Sequence, residues 1–363
     1  MRVIICGGGA IGAATAYFCS KRGAEVVVVE RHRVAGAASG KSGGFLALDW
    51  NRGTRLDRLA RRSFDLHAEL AEELSDALGR DWGLYRRLAT FMGHSDGNAP
   101  ATITGQIGTT ETTAVVEPRA FTTGLLDAAR RLGAGLTDGT VEGLTRTGDR
   151  VTGVRLSSGE IIAGDAVVIA MGPWSIMASG WLALPAVYGV KGHSLVFATG
   201  DRTPKDAWFL EVQNRRGRQN EVLTPEIFPR ANGTVWACAI SSTQGLPIDP
   251  AEVGPDDGAH ERLEALCRAV VPALATAEVV ARQACFRPLT EDGLPFMGAL
   301  PGAPGAYIAT GHSVWGMLNA PASGEAMAEL VLDGAARTVD LRPFRPDRLR
   351  PLDPKAVSGC FAR

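Results

Sequence analysis

Three glycines and one acid near the start of the chain have the types and spacing to grip a dinucleotide. Gly7, Gly9 and Gly12 stand in a Gly-x-Gly-x-x-Gly pattern, and Glu30 follows Gly12 by eighteen residues. Gly7 allows a tight turn, Gly9 lets a pyrophosphate approach the backbone, and Gly12 permits close contact between helix and strand. From Ala10 and Ile11 onward, a helix would turn its free N–H groups and positive dipole end toward the phosphates. A carboxylate at Glu30, with Arg31 beside it, can accept hydrogen bonds from both ribose hydroxyls. By itself this spacing does not separate NAD from FAD.

Other residues have the chemistry to act on a small molecule. Arg287, in Cys285-Phe286-Arg287-Pro288-Leu289-Thr290-Glu291-Asp292-Gly293-Leu294-Pro295-Phe296-Met297-Gly298, offers a guanidinium fork. Such a fork gives a carboxylate two parallel charge-assisted bonds and fixes its orientation; the competing reading is an arginine paired with an acid between domains. His193 and His312 have side chains that exchange protons near neutral pH. For each, a hydrogen-bonded structural imidazole is an equal alternative.

The elements that must position these groups follow from periodicity. Val3-Ile4-Ile5 reads as a buried strand, Ile11–Arg22 as a helix closed by Gly23, and Val26–Val29 as a second strand. Arg55–Leu78 reads as a helix with Leu66, Leu70, Leu74 and Leu78 on one stripe, closed by Gly79. A helix is expected over Ala120–Leu132, strands over Val141, 150–162 and 166–170, and another helix between Asp256 and Ala273. From 187 to 284, short strand-like runs separated by turn residues describe an antiparallel sheet. Strand 306–310 leads into a loop and a helix from about Pro321 to Leu332. The expected fold is α/β with an α+β insertion: a Rossmann-like domain, discontinuous over 1–80, 140–175 and 285–363, and an antiparallel-sheet substrate domain over 81–139 and 176–284.

With 363 residues, two domains are the default. A net charge of −1, with no basic run, argues against nucleic acid or an anionic membrane as partner. Residue 3 already belongs to a strand, so no signal peptide is expected. The uncharged stretch Ala166–Val190 is broken by Gly172-Pro173 and Pro185 and reads as strand and loop, not a spanning helix. Six cysteines show neither CxxC pairing nor metal-ligand spacing with histidine, which fits reduced thiols, a cytoplasmic location and no metal.

The run Ala37-Ala38-Ser39-Gly40-Lys41-Ser42-Gly43-Gly44-Phe45-Leu46 resembles the Ser-Gly-x-Ser-Gly-Gly stretch of the D-amino acid oxidase, glycine oxidase and sarcosine oxidase family of FAD-dependent oxidoreductases. The Arg287 segment is similar to that family's Arg-Pro-x-Thr-x-Asp-Gly-x-Pro motif. Val167–Ser175 resembles its strand-to-loop element, and Ala306–Leu318 its flavin loop. The resemblance implies FAD, held by Ser39, Ser42, Gly43 and Gly44, by Val141 at the adenine, and by Gly172 and Trp174. The loop Gly311, His312, Ser313, Val314, Trp315, Gly316 and Met317 would lie at the flavin's pyrimidine edge. Arg287 would then hold a substrate carboxylate, with Trp315 and Tyr188 beside the substrate and His193, in a Val-Lys-Gly-x element, near the flavin.

The implied reaction is oxidation of the CH–NH bond of an amino acid or N-substituted amino acid by hydride transfer to flavin N5. An imine results and, with oxygen as the electron acceptor, hydrogen peroxide; another acceptor is also open. Sarcosine oxidase-like relatives attach flavin to a cysteine just ahead of the motif, where Cys285 stands, yet this chain keeps the Arg-Pro of the glycine oxidase type. An unlinked buried cysteine is the alternative. Tyrosine is scarce, leaving Tyr85 and Tyr188 for the pocket, while Trp181, Trp208, Trp236 and Trp315 could line one for a larger amine. Competing functions are a flavin-binding assembly factor or scaffold without turnover, and an NAD(P)-dependent dehydrogenase.

Overall fold

The run Val3-Ile4-Ile5-Cys6 has no polar face because it is covered on both sides. Val3 and Ile5 join one core with Val26, Val28 and Val168, whereas Ile4 and Cys6 join another with Val27, Val29 and Val167. This period-two division is what a central parallel strand requires. A computed structural model describes residues 1–78, 85–214 and 221–361. In it the six-stranded sheet runs, from edge to edge, Phe296–Ala299, Ala306–Thr310, Ala166–Ile169, Arg2–Cys6, Glu25–Glu30 and Gly135–Asp138. All neighbours are parallel except the edge pair formed by Phe296–Ala299.

One face of this sheet carries the helices Ala10–Lys21, Asp57–Leu78, Pro118–Arg131 and Gly316–Asp333, whose Ala13, Leu59, Phe121 and Met327 share its core. The other face is covered by a three-stranded sheet, Val141–Thr147, Arg150–Leu156 and Ile161–Ala163. Helix Pro118–Arg131 and strand Gly135–Asp138 come from the segment 81–139 expected on the substrate side. They build on the dinucleotide sheet instead, since the strand pairs in parallel with Glu25–Glu30 and the helix buries Phe121 and Leu125 beneath it.

A second sheet has eight strands, ordered Glu278–Leu289, Tyr188–Ala198, Thr234–Ser242, Glu226–Pro229, Ala207–Asn214, Thr90–Ser95 and Thr102–Gly108, with Glu221–Leu223 paired beside Ala207–Asn214. It is antiparallel apart from one parallel pair, Thr90–Ser95 with Ala207–Asn214. Leu195, Phe197, Leu210, Ile227 and Val235 point to a back face covered by helix Ala259–Val270. Val196, Phe209, Phe228, Trp236 and Cys238 point forward.

The C-terminal helix starts at Gly316, five residues before Pro321, where a sequence reading would begin it. Pro321 lacks an N–H and would orphan the Met317 carbonyl inside the helix. His67 Nε2–H donates to Met317 O (3.0 Å) and Leu318 O (3.2 Å), and Ala322 N–H donates to Ser63 Oγ (3.0 Å). Two side chains of the long helix thus replace the missing backbone bonds. The expected cap Gly79 lies outside the described residues, as does the side chain of Leu78. Among the described residues no helix is long and apolar enough to cross a membrane; the uncharged stretch after 166 folds as strand Ala166–Ile169 and the 3-10 helix Gly172–Gly180.

Candidate active site

A cavity of about 480 Å³ opens where the carboxyl ends of the parallel strands meet the front of the eight-stranded sheet. That size is in the range of pockets for small organic ligands, and the position is the one at which open α/β sheets bind them. The cavity is lined by Gly7, Gly9, Ala10, Ile11, Glu30, Arg31, Ser39, Ser42, Gly43, Gly44, Val141, Gly172, Trp174, His193, Cys285, Arg287 and the run 311–317. Residues scattered over three hundred positions therefore line one cavity.

Helix N-termini dominate the parallel-sheet side. Helix Ala10–Lys21, begun by Gly9, and helix Gly316–Asp333, begun by Trp315, both lack a side-chain cap and an acid in the first turn. Both present their first residues to the cavity, so two uncompensated positive dipole ends face the same space. Gly7 has φ +114°, and a Cβ there would sit 2.4 Å from Ala170 O. Gly12 does not line the cavity; a Cβ on it would lie 2.0 Å from Gly7 O, so its role is helix-to-turn contact. Glu30 accepts Gly8 N–H (2.7 Å) through Oε2 and His32 N–H (2.9 Å) through Oε1, which fixes its carboxylate at the strand end.

The small-residue segment after the second strand is stapled between the sheets. Ser39 Oγ accepts Ala10 N–H (2.8 Å), Lys41 Nζ donates to Ala284 O (2.9 Å), and Trp236 Nε1–H donates to Lys41 O (2.9 Å). Buried Arg230 donates to Ser42 O (3.0 Å). Ser42 Oγ is buried and finds no partner among the described residues, as a hydroxyl reserved for a ligand would. Across the cavity, Gly311 (φ +81°) and Ser313 (φ +51°) hold left-handed backbone, which for serine is strained and marks a loop shaped for a ligand. Thr310 Oγ1–H donates to the Gly172 carbonyl (2.9 Å), tying this loop to the preceding turn. Two free dipole ends, close backbone approach and a spare hydroxyl suit a bis-phosphate dinucleotide.

The opposite wall is aromatic. Phe45, Trp50, Phe209, Phe228, Trp236 and Trp315 line it, with Phe228 and Trp236 stacked at 5.4 Å and Phe45 and Phe228 at 5.0 Å. Of the four tryptophans considered from sequence, Trp236 and Trp315 reach the cavity. Trp208 packs with the back-face core and Trp181 beside the parallel sheet. Trp50, Phe45, Phe209 and Phe228 were not foreseen, because strand pairing places Phe209 beside Phe228 and only tertiary packing brings Phe45 and Trp50 to them. Tyr188 is corrected: it stands at a strand start, 48% exposed, and does not line the cavity, and neither does Tyr85.

Arg287 donates from Nη2 to Ser241 Oγ (2.7 Å), and its Nε is buried without a partner among the described residues. His193 cannot act as a free base here. Its Nδ1–H points to Ile240 O (3.3 Å) and its Nε2 lone pair accepts Asp256 N–H (2.9 Å). Burial pushes its pKa down, and Lys191, bonded to Asp256 Oδ1 (2.8 Å), adds to that. His312 differs: Nε2 meets Ser323 Oγ (3.0 Å), Nδ1 is buried with no partner among the described residues, and burial lowers its pKa to about 3, so it stays neutral. Cys285 lines the cavity, and burial raises its thiol pKa against the opposing fields of Lys41 and Arg287. Trp174 donates Nε1–H to Pro247 O (2.9 Å) and packs with Ile176 and Phe286.

Fold and site together define a two-sheet oxidoreductase built around a dinucleotide. Comparison with known proteins narrows the class. The family model described as FAD dependent oxidoreductase (DAO) matches residues 2–101 and 97–330. Glycine oxidase of Pseudomonas aeruginosa is 30% identical, over 95% of this chain and 98% of its own. The crystal structure of glycine oxidase from Geobacillus kaustophilus superposes with a TM-score of 0.81 at 25% identity, covering 96% of this chain and 99% of that one. L-amino acid deaminase from Proteus myxofaciens shares the fold, with a TM-score of 0.77 at 20% identity over 96% of this chain and 93% of that one. The chain belongs to the DAO family of FAD-dependent oxidoreductases, and FAD is its cofactor.

Proposed function

We propose that the protein oxidises the CH–NH bond of an amino acid bearing an apolar or N-linked substituent, releasing an imine for hydrolysis and passing electrons to oxygen to form hydrogen peroxide. The observation that carries this reading is Arg287, a guanidinium with an unpaired Nε, set in an aromatic wall facing the dinucleotide cradle. When bound, FAD supplies a two-electron acceptor for the hydride of the substrate's α-carbon.

This chain's residues bind and orient. Gly7, Gly9 and the first turn of helix Ala10–Lys21 receive the pyrophosphate, with Ser39 and Ser42 beside it, and Glu30 takes the ribose hydroxyls. Val141 would meet the adenine, with the Gly172–Trp174 turn beside the pyrophosphate. The loop 311–317 places the second free helix end where negative charge on the ring is favoured. Arg287 fixes the carboxylate through Nε and the free edge of Nη, while Ser241 holds the guanidinium plane. Phe228, Trp236 and Trp315 exclude water and accept the substituent. His193 and His312, both pinned neutral, serve as structure. Catalysis is then orientation and electrostatics.

Support for an amino acid comes from relatives named glycine oxidase. Anaerobic mixing of the yellow holoprotein with a panel of amino acids tests it. Bleaching of the flavin band by apolar or N-methylated amino acids is the expected result; no bleaching by any amine returns the protein to a scaffold role.

A further inference from the structure

Glu226 is a carboxylate in the aromatic wall that the function above does not use. Strand alternation turns Glu226 and Phe228 forward and Ile227 back into the core. The Glu226 side chain accepts one bond, from Cys238 Sγ (3.6 Å), and makes no ion pair among the described residues. Glu226 is partly buried, and that burial pushes its carboxyl pKa up against the opposing effects of the Cys238 bond and the Arg287 field. Arg287 is the cation whose field reaches it, yet its Nη2 bonds to Ser241, not to Glu226. Two opposite charges therefore line one cavity without touching, each with bonding capacity unspent.

We infer that Glu226 is the specificity residue for the substrate's amino group, so that the Glu226–Arg287 pair reads the ammonium and carboxylate of a zwitterion together. The inference rests on the amino acid reading above and deepens it. An ammonium seated at Glu226 gains a charge-assisted hydrogen bond within the aromatic wall. A substrate with a carboxylate but no amine leaves Glu226 partly buried and uncompensated, and is rejected for that reason.

The test is binding, not turnover. α-Aminoisobutyrate has no α-hydrogen and cannot be oxidised, and pivalate is its isostere with methyl in place of ammonium. Each is titrated into holoprotein and followed by perturbation of the flavin spectrum. Wild type should prefer α-aminoisobutyrate by about tenfold or more, the scale of one charge-assisted hydrogen bond. Glu226→Gln should erase that preference, with pivalate bound at least as tightly as by wild type, while Glu226→Asp keeps part of it and serves also if the Gln variant loses flavin. Arg287→Ala should weaken both ligands alike. An unchanged preference in Glu226→Gln, equal losses in Gln and Asp variants, or no preference in wild type overturns the inference and leaves the amino acid reading standing. Failure of both ligands to perturb wild-type flavin overturns that reading, and this inference with it.

Discussion

The two walls of the cavity are built by different means. The dinucleotide wall is backbone: glycines, a strained loop and two helix ends, with few side chains making contact. The opposite wall is side chain: Phe209, Glu226, Phe228, Trp236 and Arg287 project from strands of the eight-stranded sheet, and Phe45, Trp50 and Trp315 join them from outside it. A backbone wall tolerates no added atom, whereas a side-chain wall can be retuned residue by residue. Changes in the first should cost the cofactor, and changes in the second should alter which molecule reacts.

The largest effect expected is at Gly12. An alanine Cβ there meets a carbonyl oxygen at 2.0 Å and must push the helix off its turn. Such overpacking costs at least about 1–3 kcal/mol, and here it displaces the pyrophosphate site itself. Gly12→Ala should purify colourless or nearly so, read from the ratio of flavin to protein absorbance. A fully yellow Gly12→Ala protein would remove the distinction between the walls.

Arg287→Ala should come next and behave in the opposite way. Flavin content should be unchanged, because the side chain belongs to the far wall, while kcat/KM for a carboxylate substrate falls by about a hundredfold or more, the scale of a lost charge-assisted pair. Unchanged apparent affinity for that substrate would show that the carboxylate sits elsewhere.

Acid should separate the walls a third way. His67 and His312 brace the C-terminal helix behind the dinucleotide wall, and burial holds them down at about 4 and about 3. Their folded pKa values lie below the unfolded value of about 6.5, so the unfolded chain binds protons first and stability is lost as pH falls below that value. At one unit below, the two together remove at most about 2–3 kcal/mol. The denaturation midpoint should therefore drop between pH 6.5 and 5, and His67→Gln should flatten the slope. A flat profile in wild type would mean the helix start is not held by neutral imidazoles.

The same contrast explains what the sequence made legible. The glycine turn, Glu30 and the Ser39–Gly44 segment are local patterns whose geometry follows from residues a few positions apart; Gly7, Gly9, Glu30, Ser39, Lys41, Ser42, Gly43 and Gly44 line the cavity, and Gly12 and Gly40 do not. Gly12 packs against Gly7 and Ile5 behind the wall, the close helix approach that its place in the pattern implies. The C-terminal helix was read too short because Pro321 looks like a start, and its partners Ser63 and His67 lie some 250 residues away. Phe209, Glu226, Phe228 and Trp236 carry no motif; they face one another only through the register of antiparallel strands. Alternation in Glu226-Ile227-Phe228 was the one available signal. The histidines carry real proton chemistry, but His193 has its lone pair taken by Asp256 N–H and burial holds His312 neutral.

The smallest and most discriminating effect is expected at Phe228. Its ring stacks on Trp236 and on Phe45, so Phe228→Ala opens the side-chain wall without removing a charge. Loss of aromatic contact with a substituent is worth about 0.5–1.5 kcal/mol beyond buried area. KM for a bulky apolar amino acid should rise roughly tenfold, while that for a small N-methyl amino acid moves less than about threefold, since the smaller molecule leaves the ring uncontacted. A uniform loss across sizes would indicate collapse of the wall, which its other rings at Trp50 and Phe209 are placed to prevent. A selective loss would show that substrate size is read by the antiparallel sheet alone.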